Sequence, residues 1–231
     1  GSAQRHQLLM PIPWAAEEVN NLTRTYRGVA FTGAEATETL FKQKAGEYKI
    51  LHLAMHTIID NENPMYSRLI FAAPQDSIDD GMLNTFELFN LELNAHLAVL
   101  SACQTGDGRL RRGEGIMSMA RGFFYAGVPS IIMTLWEVDD QSSSHLIALF
   151  YEYLAKGLSK DDALRKAKLD YLNSTDKIKS HPHFWAGFVS IGNAKPVNLQ
   201  KSSPVWQISA IAFSLILLVA VYLLSRNRQD K

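Results

Sequence analysis

The sequence predicts an α/β domain, an open and mostly parallel sheet with helices on both faces, followed by a single C-terminal transmembrane helix. Three observations predict it. Apolar runs of strand length alternate with segments of helical periodicity, the pattern of successive β–α units. Two of those runs, "AHLAVLSAC" (95–103) and "VPSIIMTLW" (128–136), are almost continuously apolar, as strands buried on both faces of a parallel sheet are. The third is "VWQISAIAFSLILLVAVYLL", residues 205–224, an uncharged stretch about one bilayer thick. Trp206 and Tyr222 sit near its ends, where aromatic rings suit the interface, and Arg226, Arg228 and Lys231 follow.

In order along the chain, "WAAEEVNNLTRTY" (14–26) reads as a helix, "GVAFTG" (28–33) as a short strand and "AEATETLFKQKA" (34–45) as a second helix. "YKILHLAMH" (48–56) is a strongly apolar strand and "SRLIFA" (67–72) the next strand. Turn residues then precede a helix that Asn84 or Thr85 can cap. After strand 95–103, "GIMSMARGFFYAG" is an apolar helix ended by Gly127, and strand 128–136 follows. "QSSSHLIALFYEYLAKG" and "SKDDALRKAKLDYLN" are two more helices, the latter opened by Ser159 with Asp162 three residues on, and "FWAGFVSIG" (184–192) is the last strand.

This divides the chain into residues 1–9, an upstream linker with a cloning scar in its leading "GS"; a folded domain, 10–193; a Pro-, Ser- and Lys-containing linker, 194–204; the membrane span, 205–224; and a basic tail, 225–231. The 23 basic residues balance the 23 acidic ones, so no electrostatic footprint for nucleic acid exists. The single cysteine excludes an intramolecular disulfide and a CxxC metal site. It is a packed thiol or a reactive one.

Sites in open α/β sheets form outside the carboxyl ends of the strands. Two strands end in residues capable of chemistry, His56 and Cys103, which share one sheet edge if their strands are parallel neighbours. An imidazole beside a thiol favours the thiolate and can protonate a leaving amine. Gly106, Gly108, Gly113 and Gly115 let the backbone turn away after Cys103, and the 47-residue spacing from His56 is close to that of the caspase nucleophile and its histidine. His52 and His56, or His181 and His183, lack further ligands at metal-binding spacing, so no metal is expected and His52 reads as a satisfied core histidine. The segment "GDGRLRRGEG" lacks the Gly-Lys-Ser/Thr ending of a phosphate loop, which leaves Arg109, Arg111 and Arg112 in a solvated loop. Asp139 and Asp140 follow the strand 128–136; they line a specificity pocket or cap the next helix.

"LHLAMHTIID", "VLSACQTGDGRLRRGEGIMSMARGFFYAGVPSIIMTLWEVDD", "LFYEYLAKG" and "DALRKAKLDYL" together resemble the CHAT domain, a caspase-like cysteine-protease module of clan CD, over about residues 11–192. The resemblance implies a caspase-haemoglobinase fold, His56 as catalytic histidine, Cys103 as nucleophile, and the backbone N–H groups of Thr57 and Cys103 as oxyanion donors. Thr57 stands where many clan members have glycine, and a backbone donor survives that change. No third catalytic residue stands out. By analogy with the related separases, Asp139 and Asp140 are candidates for recognising a basic side chain, and tetratricopeptide repeats are expected upstream. The expected activity is that of a membrane-anchored cysteine endopeptidase acting on specific protein partners, needing no cofactor, with the side of the membrane left open. The alternative is a catalytically silent scaffold on the same fold.

Overall fold

The computed structural model describes residues 12–72, 79–101 and 114–199. Two compact units, Gly1–Gln200 and Lys201–Lys231, divide the chain. The second, with the candidate span 205–224 and the basic tail, lies outside the described residues, as does Cys103 with the loop that follows it. Among the described residues no helix is long and apolar enough to cross a membrane.

Helix α1 is Pro13–Thr25, with proline where a missing N–H costs nothing. Among the described residues the stretch 28–32 pairs with no strand, and Val29 and Phe31 are 59 % and 38 % exposed. The single helix expected over 34–45 is broken. A 3₁₀ turn, Gly33–Glu35, precedes α2, Glu38–Lys44, because the Thr37 hydroxyl accepts the Leu40 N–H (3.2 Å) and starts a new helix there. Strand β1, Ile50–Leu53, ends before His56.

The next segment corrects the expected topology. β2 (Thr57–Ile58), β3 (Arg68–Ile70) and β4 (Met82–Asn84) form a separate antiparallel sheet in the order β2-β3-β4, instead of extending the parallel one. The strand β4 hid in a stretch read as turn. Its last residue, Asn84, opens the one-turn helix α3, Thr85–Leu88, where the Glu87 carboxylate accepts the Asn84 N–H at 2.9 Å. Lys42 fastens this sheet to α2, with Nζ 2.7 Å from Glu38, 2.8 Å from Asp79 and 3.1 Å from Glu87.

The main sheet continues with β5 (Leu97–Leu100), α4 (Glu114–Tyr125), β6 (Ser130–Thr134), α5 (Asp140–Ala155), α6 (Lys160–Ser174) and β7 (Phe188–Gly192). Its order is β1-β5-β6-β7, parallel except for β7, which runs antiparallel on β6. Gly127 turns the chain from α4 into β6 at φ +102°, and a Cβ there would lie 2.8 Å from the Leu93 carbonyl oxygen.

Period-two alternation splits the core across the sheet. Leu51, Leu53, Ala98, Leu100, Ile131 and Met133 face α4 and the small sheet, packing on Phe123, Met119, Leu69 and Leu83. Leu97, Val99 and Ile132 face α5 and α6, packing on Phe150, Leu146, Ile147 and Tyr171. Side chains of this kind contribute about 1.5–3 kcal/mol each when fully buried, so both faces of β5 and β6 are held by apolar packing.

Candidate functional site

β1 and β5 are parallel neighbours in register Leu53↔Leu100, and the Ser101 N–H donates to the Leu53 carbonyl at 3.2 Å. Both strands therefore deliver their following residues to one edge. His56 lies three residues beyond Leu53; Cys103 lies three residues beyond Leu100 in sequence. His56 is half-buried and its carbonyl accepts the Ile70 N–H at 2.9 Å, which pins its backbone to β3.

Thr57 is 1 % exposed and sits opposite Leu69. The bond from Ile70 to His56 makes Thr57 and Leu69 a non-hydrogen-bonded antiparallel pair, so the Thr57 amide points away from β3, off the edge of the small sheet. That amide therefore takes no part in the ladder with β3.

The first turn of α5 sits over the end of β5. Ser143 donates its hydroxyl to the Ser101 carbonyl at 2.7 Å. Asp139 caps the helix, accepting the Ser142 N–H at 2.9 Å and the Ser142 hydroxyl at 2.8 Å, with Lys179 Nζ 3.6 Å away. Burial works against the Asp139 charge, but those bonds and Lys179 outweigh it, holding the carboxyl below the usual aspartate range. Asp140 accepts the Trp14 N–H from α1 at 2.9 Å. Burial pushes its pKa up; the Trp14 bond opposes this, the negative charges of Glu18 and Asp139 add to it, and His56 pulls the other way. Asp140 and His56 are thus brought within electrostatic reach of each other.

His52, on the strand two turns of the pleat before His56, is satisfied within the core, as its position suggested. Its Nε2 is 2.7 Å from Glu18 Oε1, its Nδ1 is 3.3 Å from the Tyr151 hydroxyl, and its ring meets Tyr151 edge-on at 5.7 Å. Burial, and then the charges of Glu18 and Tyr26, push the Tyr151 hydroxyl far above the ordinary tyrosine range. Glu18, 4 % exposed, is the residue that sequence reasoning missed. The available signal was a carboxylate three residues after Ala15 and four before Leu22, on the inward stripe of α1. His181 and His183 serve local structure: the His183 N–H donates to His181 Nδ1 at 3.2 Å in a 3₁₀ turn.

The described residues thus bring His56 and the end of β5 to one edge of the sheet, while Cys103 itself lies outside them. The family model for the CHAT domain matches residues 2–193. This chain belongs to the CHAT domain family. The CHAT domain is caspase-like and related to clan CD. The chain is also similar to Tetratricopeptide repeat protein 28 of Homo sapiens, 26 % identical over 223 residues, and to the protein of that name from Mus musculus, 27 % identical over 223 residues. Each match covers 83 % of this chain and 9 % of the relative, so the chain spans less than a tenth of the length of these relatives.

Proposed function

We propose that this CHAT domain is a cysteine endopeptidase that cleaves specific protein partners. The observation that supports the reading is the register of β1 on β5, which pairs Leu53 with Leu100; in sequence, His56 and Cys103 each follow three residues after those partners. In this reading Cys103 attacks the scissile carbonyl as thiolate. His56 takes the thiol proton and returns it to the leaving amine, and water then hydrolyses the thioester. The outward amide of Thr57, with that of Cys103, holds the oxyanion. Asp140, at the start of α5, lies within electrostatic reach of His56. Asp139 or Asp140 selecting a basic P1 side chain belongs to the same proposal, although Asp139 already serves as a helix cap and Asp140 holds an amide of α1.

The domain is further proposed to be tethered by residues 205–224 and to follow tetratricopeptide repeats in a longer protein, which the names of its relatives support. An acyloxymethyl ketone with a basic P1 tests the chemistry. Expected is labelling that disappears in Cys103→Ala and falls at least about a hundredfold in His56→Ala. Labelling that survives Cys103→Ala, or that is absent from folded wild type, refutes it; the second result leaves the silent scaffold.

A further inference from the structure

Four aromatic rings form a row on the outer side of α3 and α4. Phe86 and Phe89 are three residues apart, on α3 and at its C-terminal cap, so they share one face of that turn. Tyr66 meets Phe86 edge-on at 5.6 Å and Tyr125 meets Phe89 edge-on at 4.7 Å, which continues the row at both ends. Helix α4 sets its direction. The Ser118 hydroxyl lies 3.9 Å from the sulfur of Met65, the neighbour of Tyr66, and Tyr125 stands seven residues on, about 10 Å along the helix axis. α3 is seated on α4 at Gly122, where a Cβ would lie 2.9 Å from Leu88 and 3.3 Å from Thr85. Leu88 and Thr85 are thereby committed to the interior, and the phenylalanines between and after them are left outside. Tyr125 is 72 % exposed, Tyr66 57 % and Phe86 40 %. At about 150–250 Å² per ring, roughly 350 Å² of aromatic surface stands in the open. A contiguous apolar patch of that size is a mark of an interaction site.

The size and charge of the row select its occupant. A stable contact between two folded copies needs about 800 Å² on each partner, more than this row offers. The stretches that bear it, 59–66, 84–94 and 118–125, hold Asp60, Glu62, Glu87 and Glu92 against Arg121. Even with Glu87 answered by Lys42, the surroundings of the row are acidic. A two-fold contact would turn those carboxylates on themselves, whereas a basic segment is drawn to them. So small a surface also gains little from a ligand that must first be ordered. A proline-rich segment is already held in the polyproline II form and docks on aromatic ridges, its proline rings packing between side chains set edge to face. With about 5–6 Å between the two phenylalanines the row is about 16 Å long, which holds five such residues at ~3.1 Å each.

We propose that the row Tyr66–Phe86–Phe89–Tyr125 is a docking surface for a basic, proline-rich segment of a partner protein, bound in the polyproline II form. None of these side chains has a part in the peptidase chemistry, so binding is measured apart from it. The probe is a fluorescein-labelled peptide, Arg-Arg-Pro-Leu-Pro-Pro-Leu-Pro-Pro-Leu-Arg-Arg, titrated with the full chain in mild detergent and followed by anisotropy. Expected is saturable binding with a Kd on the order of 10–100 μM. Tyr66→Ala and Tyr125→Ala each weaken it at least about fivefold, and Ile178→Ala, at an exposed apolar residue outside the row, leaves it unchanged. Should Tyr66→Ala fail to fold, Tyr125→Ala carries the test, because a side chain so exposed is no part of the core. Peptides with glutamate for every arginine, or alanine for every proline, are each expected to bind at least about fivefold more weakly. No saturable binding up to about 1 mM, binding indifferent to both tyrosines, equal binding of either altered peptide, or self-association in sedimentation that Tyr125→Ala abolishes overturns the proposal.

Discussion

Replacing Ser143 by alanine isolates one bond at the end of the strand that leads to Cys103. The hydroxyl donates to the Ser101 carbonyl at 2.7 Å, and both residues are buried, each 3 % exposed. Removing one oxygen opens almost no cavity, so the cost is that of a buried carbonyl losing its donor, about 2 kcal/mol. For a domain of this size that lowers Tm by about 4–8 °C. Ser142→Ala is the matched comparison. Ser142 is equally buried, at 2 % exposure, but its hydroxyl shares Asp139 with its own N–H, and the Asp139 side chain, 41 % exposed, can take water instead. Its cost is about 0.5 kcal/mol. Urea titration of the full chain in mild detergent, followed by tryptophan fluorescence, measures both. Equal losses, or a Ser143→Ala loss under about 0.5 kcal/mol, would show that the Ser101 carbonyl is satisfied some other way.

Other expectations concern the core, the acidic cluster and the turns. Glu18→Ala should cost about 2–4 kcal/mol by leaving His52 short of a partner in the core, whereas Glu18→Gln, which keeps an acceptor, should cost about 1 kcal/mol; equal losses in urea would contradict the His52 bond. Asp79 is held below its ordinary pKa by Lys42 and Thr39. Glu87 is lowered too, its burial outweighed by Asn84 and Lys42. Their contribution is therefore present above the unfolded carboxylate pKa near 4 and is lost as pH falls through the folded values, while Glu38, raised by burial, contributes in the opposite sense. Lys42→Met should flatten the acid-side fall in stability, and an unchanged slope would remove the cluster from the account. Gly127→Ala should destabilise by about 2 kcal/mol or more, because a strained φ meets the Leu93 carbonyl; Gly157→Ala, at φ +82° with open space around it, should cost about 1 kcal/mol. The reverse order in thermal melts would refute the steric argument.

What the sequence made legible followed burial. β5 and β6 are buried on both faces and announced themselves as unbroken apolar runs, and α5 and α6 carried Asp139 and Ser159 at their starts. The small sheet was illegible because its strands are two or three residues long, too short to show alternation, and because β4 is embedded among Asp80, Gly81 and Asn84, which read as turn. The stretch 28–32, apolar enough to read as a strand, has no strand partner among the described residues, and apolar content specifies a strand only together with a neighbour that supplies hydrogen bonds. At the candidate site, His56 drew attention because an apolar run leads to it, and β1 ends three residues before it. The electrostatic proximity of Asp140 to His56, and the bond of Glu18 to His52, were not legible. Each joins elements far apart in sequence through a helix whose placement no local pattern encodes.

The fastening of α1 gives the domain a mechanical asymmetry. Its two polar attachments, Trp14 to Asp140 and Glu18 to His52, lie one helical turn apart, and the chain ahead of Pro13 leads to the first of them. A load from that direction meets them in series, as a zipper does, and not together. Breaking the first alone would free the Asp140 carboxylate, which lies within electrostatic reach of His56, while β1 stays paired along its length with β5.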